Sequence, residues 1–230
     1  GAGPFMDGPN VTHNVGPRML DAGPVASYSI GGDHFYNLAL WTRPDGSLWG
    51  VGHHNGGCFG DGNNSHYWTP KQLLPSGVAK VAMGVNHSLI VMSDGSLWAM
   101  GNNHSGQLGD GTTVDSLIPV QTTITDVASF SAQGNISFVL KTDGSLWKTK
   151  SNAANGWEQV VDADVTAVES GGGHTTFTKT DGSLWTIGYS TFGQLGDGAY
   201  ARRDSNPERV MDSGVVSAAA GGAHTVFAKS

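Results

Sequence analysis

Asp94-Gly95-Ser96-Leu97-Trp98 decides the fold, because the same five letters recur at Asp45 to Trp49, Asp143 to Trp147 and Asp181 to Trp185. The tryptophans Trp49, Trp98, Trp147 and Trp185 are spaced by 49, 49 and 38 residues. A fixed period of this size is the mark of a repeat architecture. Asp-Gly between two short apolar runs, such as Leu89 to Met92 and Leu97 to Met100, is a two-residue hairpin signal, because glycine accepts φ > 0 without steric cost.

Outward from that anchor the unit extends both ways. Upstream, Gly84-Val85-Asn86-His87 is repeated at Gly171 to His174 and Gly221 to His224. His34 is read as the first copy of the histidine, and Ile136 stands in its place in the third unit. Downstream, Gly106-Gln107-Leu108-Gly109-Asp110-Gly111 recurs letter for letter at Gly193 to Gly198, with a looser copy at Gly57 to Gly62. A proline follows each of these boxes by eight or nine residues, at Pro70, Pro119 and Pro207. Each unit therefore holds about four short strands. Approximate Trp-anchored repeats run over 1–49, 50–98, 99–147, 148–185 and 186–230 of what reads as a single domain, 1–230. Asp61, Asp110 and Asp197 end the boxes and read as turn chemistry, an Asp side chain bonding backbone N–H groups two residues on.

These motifs together resemble the regulator of chromosome condensation repeat family, over nearly the whole chain. The resemblance implies an all-β propeller with blades of about fifty residues; the chain has material for about five four-stranded blades. Gly3 to Gly8 followed by Pro17 reads as a degraded box, and Val215 to Ser230 as an upstream half-unit. One expectation is a closed ring whose last blade is built from both termini and lacks one strand. The alternative is a fragment of a seven-bladed propeller.

Composition narrows the function classes. The 35 glycines are about twice the usual share and charged residues, at 13%, about half of it, which suits short strands and tight turns. A net charge of -7 with 12 Lys and Arg disfavours a general nucleic-acid binder, which needs cations set against phosphates. No run of ~18 apolar residues predicts membrane insertion. Cys58 is the single cysteine, so no intrachain disulfide and no four-cysteine zinc site is available. His53-His54 with Cys58 makes a weak metal pattern, and no hydrolase elbow, metalloprotease helix or phosphate loop occurs. No enzyme activity, cofactor or metal is expected.

Residues required by every blade, namely the repeated Trp, His and Asp, are read as structural. Candidate partner-binding residues are instead those that break the repeat. His66, Tyr67 and Trp68 follow one box, and Tyr200, Arg202 and Arg203 the equivalent one. Trp41 and Arg43 lie in what reads as a four-residue insertion before Asp45. Tyr, Trp and Arg dominate interface hot spots. The third unit has lost its box and eleven residues, keeping Lys148, Lys150 and Trp157, which predicts a notch on the rim. The resembled family includes a nucleotide exchange factor for a small GTPase and bacterial propellers that inhibit β-lactamases. Its exchange activity is not carried over, since the shared motif is the scaffold. The expected role is a non-catalytic scaffold presenting one face to a protein partner. The alternatives are a carbohydrate-binding module of a secreted bacterial protein, or an assembly unit that self-associates by pairing the incomplete blade with a strand of another chain.

Overall fold

The computed structural model describes residues 23–32, 37–53, 56–150, 155–200 and 202–230. Among them lie eighteen strands and no helix, hence none long and apolar enough to cross a membrane. The chain is an all-β propeller. Blade one comprises β1 (Ser27–Gly32), β2 (Asn37–Thr42), β3 (Leu48–Gly52) and β4 (Tyr67–Leu74); blade two, β5 (Val78–Met83), β6 (His87–Met92), β7 (Leu97–Gly101) and β8 (Ser116–Gln121). Blade three comprises β9 (Val127–Gln133), β10 (Ile136–Lys141), β11 (Leu146–Thr149) and β12 (Trp157–Val161); blade four, β13 (Val165–Ser170), β14 (His174–Lys179), β15 (Leu184–Gly188) and β16 (Arg203–Met211). Blade five contributes β17 (Val215–Ala220) and β18 (Thr225–Lys229). Each is an antiparallel meander in sequence order, and each anchor tryptophan sits on a third strand. The N-terminal segment expected from the sequence to complete blade five lies in residues 1–22, outside the described residues.

The Asp-Gly hairpins build both a turn and a link to the next blade. In each, the Asp carboxylate accepts from the Ser backbone N–H and, in three of the four, from the Ser hydroxyl, and that hydroxyl accepts from the Trp indole. These bonds favour the ionised form and lower the pKa of Asp45, Asp94, Asp143 and Asp181. The turn's glycine carbonyl then accepts from the first strand of the next blade: Gly46 from Val78 at 2.9 Å, Gly144 from Val165 and Gly182 from Val215 at 3.0 Å. Gly46 has φ +77° and a Cβ there would meet the Gly77 nitrogen at 2.8 Å, so only glycine fits both turn and link.

The core lies in the seams between blades. Seam one–two buries Leu38, Leu40, Phe59, Val81, Met83 and Ile90; seam two–three buries Leu89, Leu108, Val139 and Trp157; seam three–four buries Phe138, Leu140, Val168 and Phe177. Blade five lacks such cover among the described residues. Phe227 occupies the register position of Phe177, yet is 39% exposed against 1%.

The structure corrects the reading of blade one. Leu38 pairs with Gly52 as His87 pairs with Gly101, so Leu38, not His34, stands in the repeated histidine position. His34 itself lies outside the described residues, as does His54. The hairpin tip is not lengthened either, because Arg43 bonds Ser47 as Met92 bonds Ser96. The extra residues sit between β1 and β2.

Candidate binding face

Antiparallel order sends the first turn and the third loop of every blade to one face, and the Asp-Gly hairpins to the other. On the first face the Gly-x-x-His segments make two-residue turns in which Gly84, Gly171 and Gly221 N–H groups donate to the carbonyls of His87, His174 and His224 at 2.8–2.9 Å. The histidine side chains turn into the seams. His87 Nε2 lies 2.9 Å from Ser137 Oγ of blade three, and that hydroxyl donates to the Gln107 carbonyl at 2.7 Å. His174 Nε2 meets Thr225 Oγ1 of blade five at 2.8 Å, which donates to the Gln194 carbonyl at 2.7 Å. Since each hydroxyl proton goes to a carbonyl, each imidazole must donate through Nε2–H. That leaves Nδ1 unprotonated, buried and without a partner in both rings. Burial accordingly pushes the His87 pKa down to about 4, and burial with the His224 charge lowers that of His174. The histidines clamp a neighbour's hydroxyl rather than gather around an ion. Among the described residues no three His, Cys, Asp or Glu side chains converge on a metal-sized site. His224 remains exposed, and no hydroxyl meets it among the described residues.

The box loops are self-contained polar frames. Buried Asn103 donates to Asp110, to Thr112 and to the Val114 carbonyl, and accepts from Leu108 N–H at 2.9 Å. Asp110 Oδ1 accepts from Thr112 N–H and Asp197 Oδ1 from Ala199 N–H, both at 2.9 Å, the turn chemistry that the sequence implies. In blade one the Tyr67 hydroxyl donates a hydrogen bond to the Asp61 carboxylate, which raises the Tyr67 pKa. Cys58 fills the Gln107 position; it is buried, its carbonyl accepts from Ser88 of blade two at 2.9 Å, and burial pushes its thiol up to about 12.

Onto this frame each blade mounts different side chains at the same places. Facing positions on the loop stem carry His53 and His66 in blade one, with rings stacked at 3.6 Å, and Tyr189 and Arg202 in blade four, with the guanidinium 4.1 Å over the ring. Trp68 lies beside the histidine pair, 6.1 Å from His53, and is exposed. Phe192 and Tyr200 are 74% and 79% exposed. Other predicted contacts are spent internally. Tyr67 packs on Phe59 under its own loop, and Arg203 pairs with Asp197 at 3.3 Å and Glu208 at 3.9 Å. Trp41 is 2% exposed and stacks on Trp49, while Arg43 covers the same Trp49 ring at 4.0 Å on the hairpin side. Neither belongs to this face, because Trp41 occupies an inward position of β2. Tyr189 and Phe192 escaped the sequence reading. Aligning Gly106 with Gly193 sets them against Asn102 and Ser105, which is the signal that finds them.

The model for the Regulator of chromosome condensation (RCC1) repeat matches residues 45–91, 94–140 and 181–228, and a second model of the same repeat matches 78–107. The chain belongs to the regulator of chromosome condensation repeat family. In fold this family member is similar to human WBSCR16, at 23% identity and a TM-score of 0.78 over 95% of this chain and 61% of that one. It is also similar to Prp20p from Saccharomyces cerevisiae, a structure described with its binding properties to Gsp1p and histones, at 18% identity and a TM-score of 0.73 over 88% and 55%. A second yeast structure, Kap60 bound to RCC1 (Prp20), matches at 17% and 0.67 over 84% and 52%. The chain thus spans between half and two thirds of the length of these relatives. No curated protein is a significant match in sequence.

Proposed function

We propose that this family member is a non-catalytic scaffold that presents the face bearing its first turns and third loops to a protein partner. One observation carries this reading. Of the side chains that depart from the repeat and remain exposed, His66, Phe192, Tyr200 and Arg202 rise from third loops and Trp68 from the adjoining start of β4. Variation confined to loops on a rigid support is how propellers and sandwiches carry recognition. The described yeast relatives bind Gsp1p, histones and Kap60, which supports a protein as the ligand class.

A pull-down from the source organism tests it. The Trp68→Ala/Tyr200→Ala double variant is expected to lose a partner that the parent and Lys141→Ala, altered at the hairpin end, both recover. Equal recovery by all three removes the assignment of the face. Trp68 beside two imidazoles favours a second reading, stacking on a sugar ring, which binding on a glycan array tests. The exposed Phe227 and Val226 on β18 favour a third, completion of blade five by another chain. A sedimentation coefficient that rises with concentration tests that one.

A further inference from the structure

Proline closes three of the four outer strands to a further neighbour. Pro70, Pro119 and Pro207 come one residue before Lys71, Val120 and Glu208, which pair with Gly50, Ala99 and Thr186. In blade three Glu158 pairs with Lys148, and Trp157 stands where the proline would be. The Lys150 N–H donates to the Gly156 carbonyl at 2.9 Å. Antiparallel bonding alternates along a strand, so Glu158 also bonds inward, while Trp157 and Gln159 turn their N–H and C=O groups away from β11. At that outward place a proline removes the N–H that another strand would use. Each proline also lies beside a break in register, at Gly50/Gly52, Ala99/Gly101 and Thr186/Gly188, whereas β12 keeps its register from Trp157 to Gln159. Among the described residues no strand pairs with the outer edge of β12.

Beside that edge a depression of about 420 Å³ lies between blades three and four, lined by the four residues 159–162 together with Lys179, Trp185 and Pro207. Side chains of a strand alternate between its two faces, so successive residues line one depression where the edge itself is open to it. The Trp185 ring and Val160 make part of its wall apolar. Its two charged side chains, Lys179 and Asp162, are in no ion pair among the described residues. The Trp157 N–H meanwhile donates to Asn155 Oδ1 of its own turn at 3.2 Å, at the long end for such a bond, and a main-chain carbonyl can take that place.

We infer that the outer edge of blade three receives an extended segment of a partner protein as a fifth strand. The segment exchanges main-chain hydrogen bonds with Trp157 and Gln159, lays an apolar side chain against Trp185 and Val160, and carries an acidic group for Lys179 and a basic one for Asp162. Strand addition takes its affinity from the main chain and its selectivity from the pocket beside it. This site lies on the rim and does not rest on the protein-binding reading of the loop face.

Random twelve-residue peptides, displayed and selected on the full immobilised chain, test it. Gln159→Pro gives β12 the device of its three counterparts, and enriched peptides should bind it at least about tenfold more weakly than the parent. Gln159→Ala keeps the main chain and should bind within about twofold of the parent. Lys179→Glu should bind about three- to tenfold more weakly. Methylating the main-chain nitrogens of a peptide one at a time should weaken it at alternate positions, and the bound peptide should slow deuterium exchange at the Gln159 amide. Where Gln159→Pro melts below the parent, the methylated peptides decide. Peptides indifferent to main-chain methylation, or bound by a fully folded Gln159→Pro as well as by the parent, overturn the inference, and so does an absence of enrichment. Peptides lost by Trp68→Ala/Tyr200→Ala but kept by Gln159→Pro overturn it while supporting the loop face. Self-association that Gln159→Pro abolishes makes a second copy the occupant and overturns the assignment to a partner protein.

Discussion

Seam two–three and seam three–four join the same kinds of strands by different means. In the first, His87 and the Gln107 carbonyl hold Ser137 between them, and Trp157 donates its indole N–H to the Gly109 carbonyl at 2.9 Å. In the second, Ile136 replaces the histidine, the box is gone, and the corresponding hydroxyl, Thr175, meets Ser170 of its own blade at 2.9 Å. Phe138, Leu140, Val168 and Phe177 fill that seam instead. Burial is common to both, so apolar contact supplies most of the stability. The hydroxyl clamp is an addition that fixes register.

The largest break in this comparison comes from the apolar side. Phe177→Ala should lower unfolding free energy in urea by about 3–5 kcal/mol, more than any single change in the clamp. A smaller loss than the clamp variants show would reverse the ranking of the two seams.

Acid is the next lever, and its sign follows from the tautomer. Unfolded histidine takes up a proton near pH 6.5, while folded His87 resists it until about pH 4, so lowering the pH through that window favours the unfolded state. Its contribution to that loss should be roughly 3 kcal/mol, complete near pH 4 and level below. The hairpin carboxylates, whose pKa values lie below 3.8, act only beneath the window. His87→Leu, which copies the Leu38 of blade one, should remove the share of this slope that His87 contributes, as read by denaturation at several pH values.

Ser137→Ala should cost about 1–3 kcal/mol, because it leaves the buried His87 N–H and Gln107 carbonyl unmet. Thr175→Val, at the same place in the seam without a clamp, should cost less than about 1 kcal/mol. Thermal melts of the pair measure the clamp directly. Smallest of all, Tyr200→Ala should change stability by no more than about 0.5 kcal/mol, since its ring is exposed. Only partner recovery should respond.

The blades were legible in the sequence because four of the five repeat the same hairpin chemistry, Asp to Ser to Trp, within five adjacent residues. Local bonds leave local signatures. The clamp was only half legible, since His87 and Ser137 stand fifty residues apart and the hydroxyl position varies between Ser and Thr. Blade one was misread because the glycine and histidine that flank its first turn can be matched to the motif in a register the strands do not adopt. The missing box of blade three reads as a notch on the rim, whereas a depression beside Ile136 and Thr149 opens on the face, where side chains of three blades meet that no single segment brings together.

Cys58 gives these seams a clock. As the chain's single thiol, sealed beneath the loop of blade one and bonded through its carbonyl to Ser88 of blade two, it meets a water-soluble alkylating reagent only when that loop lifts away. Its labelling rate therefore counts how often one blade lets go of the next, with no probe engineered into the protein.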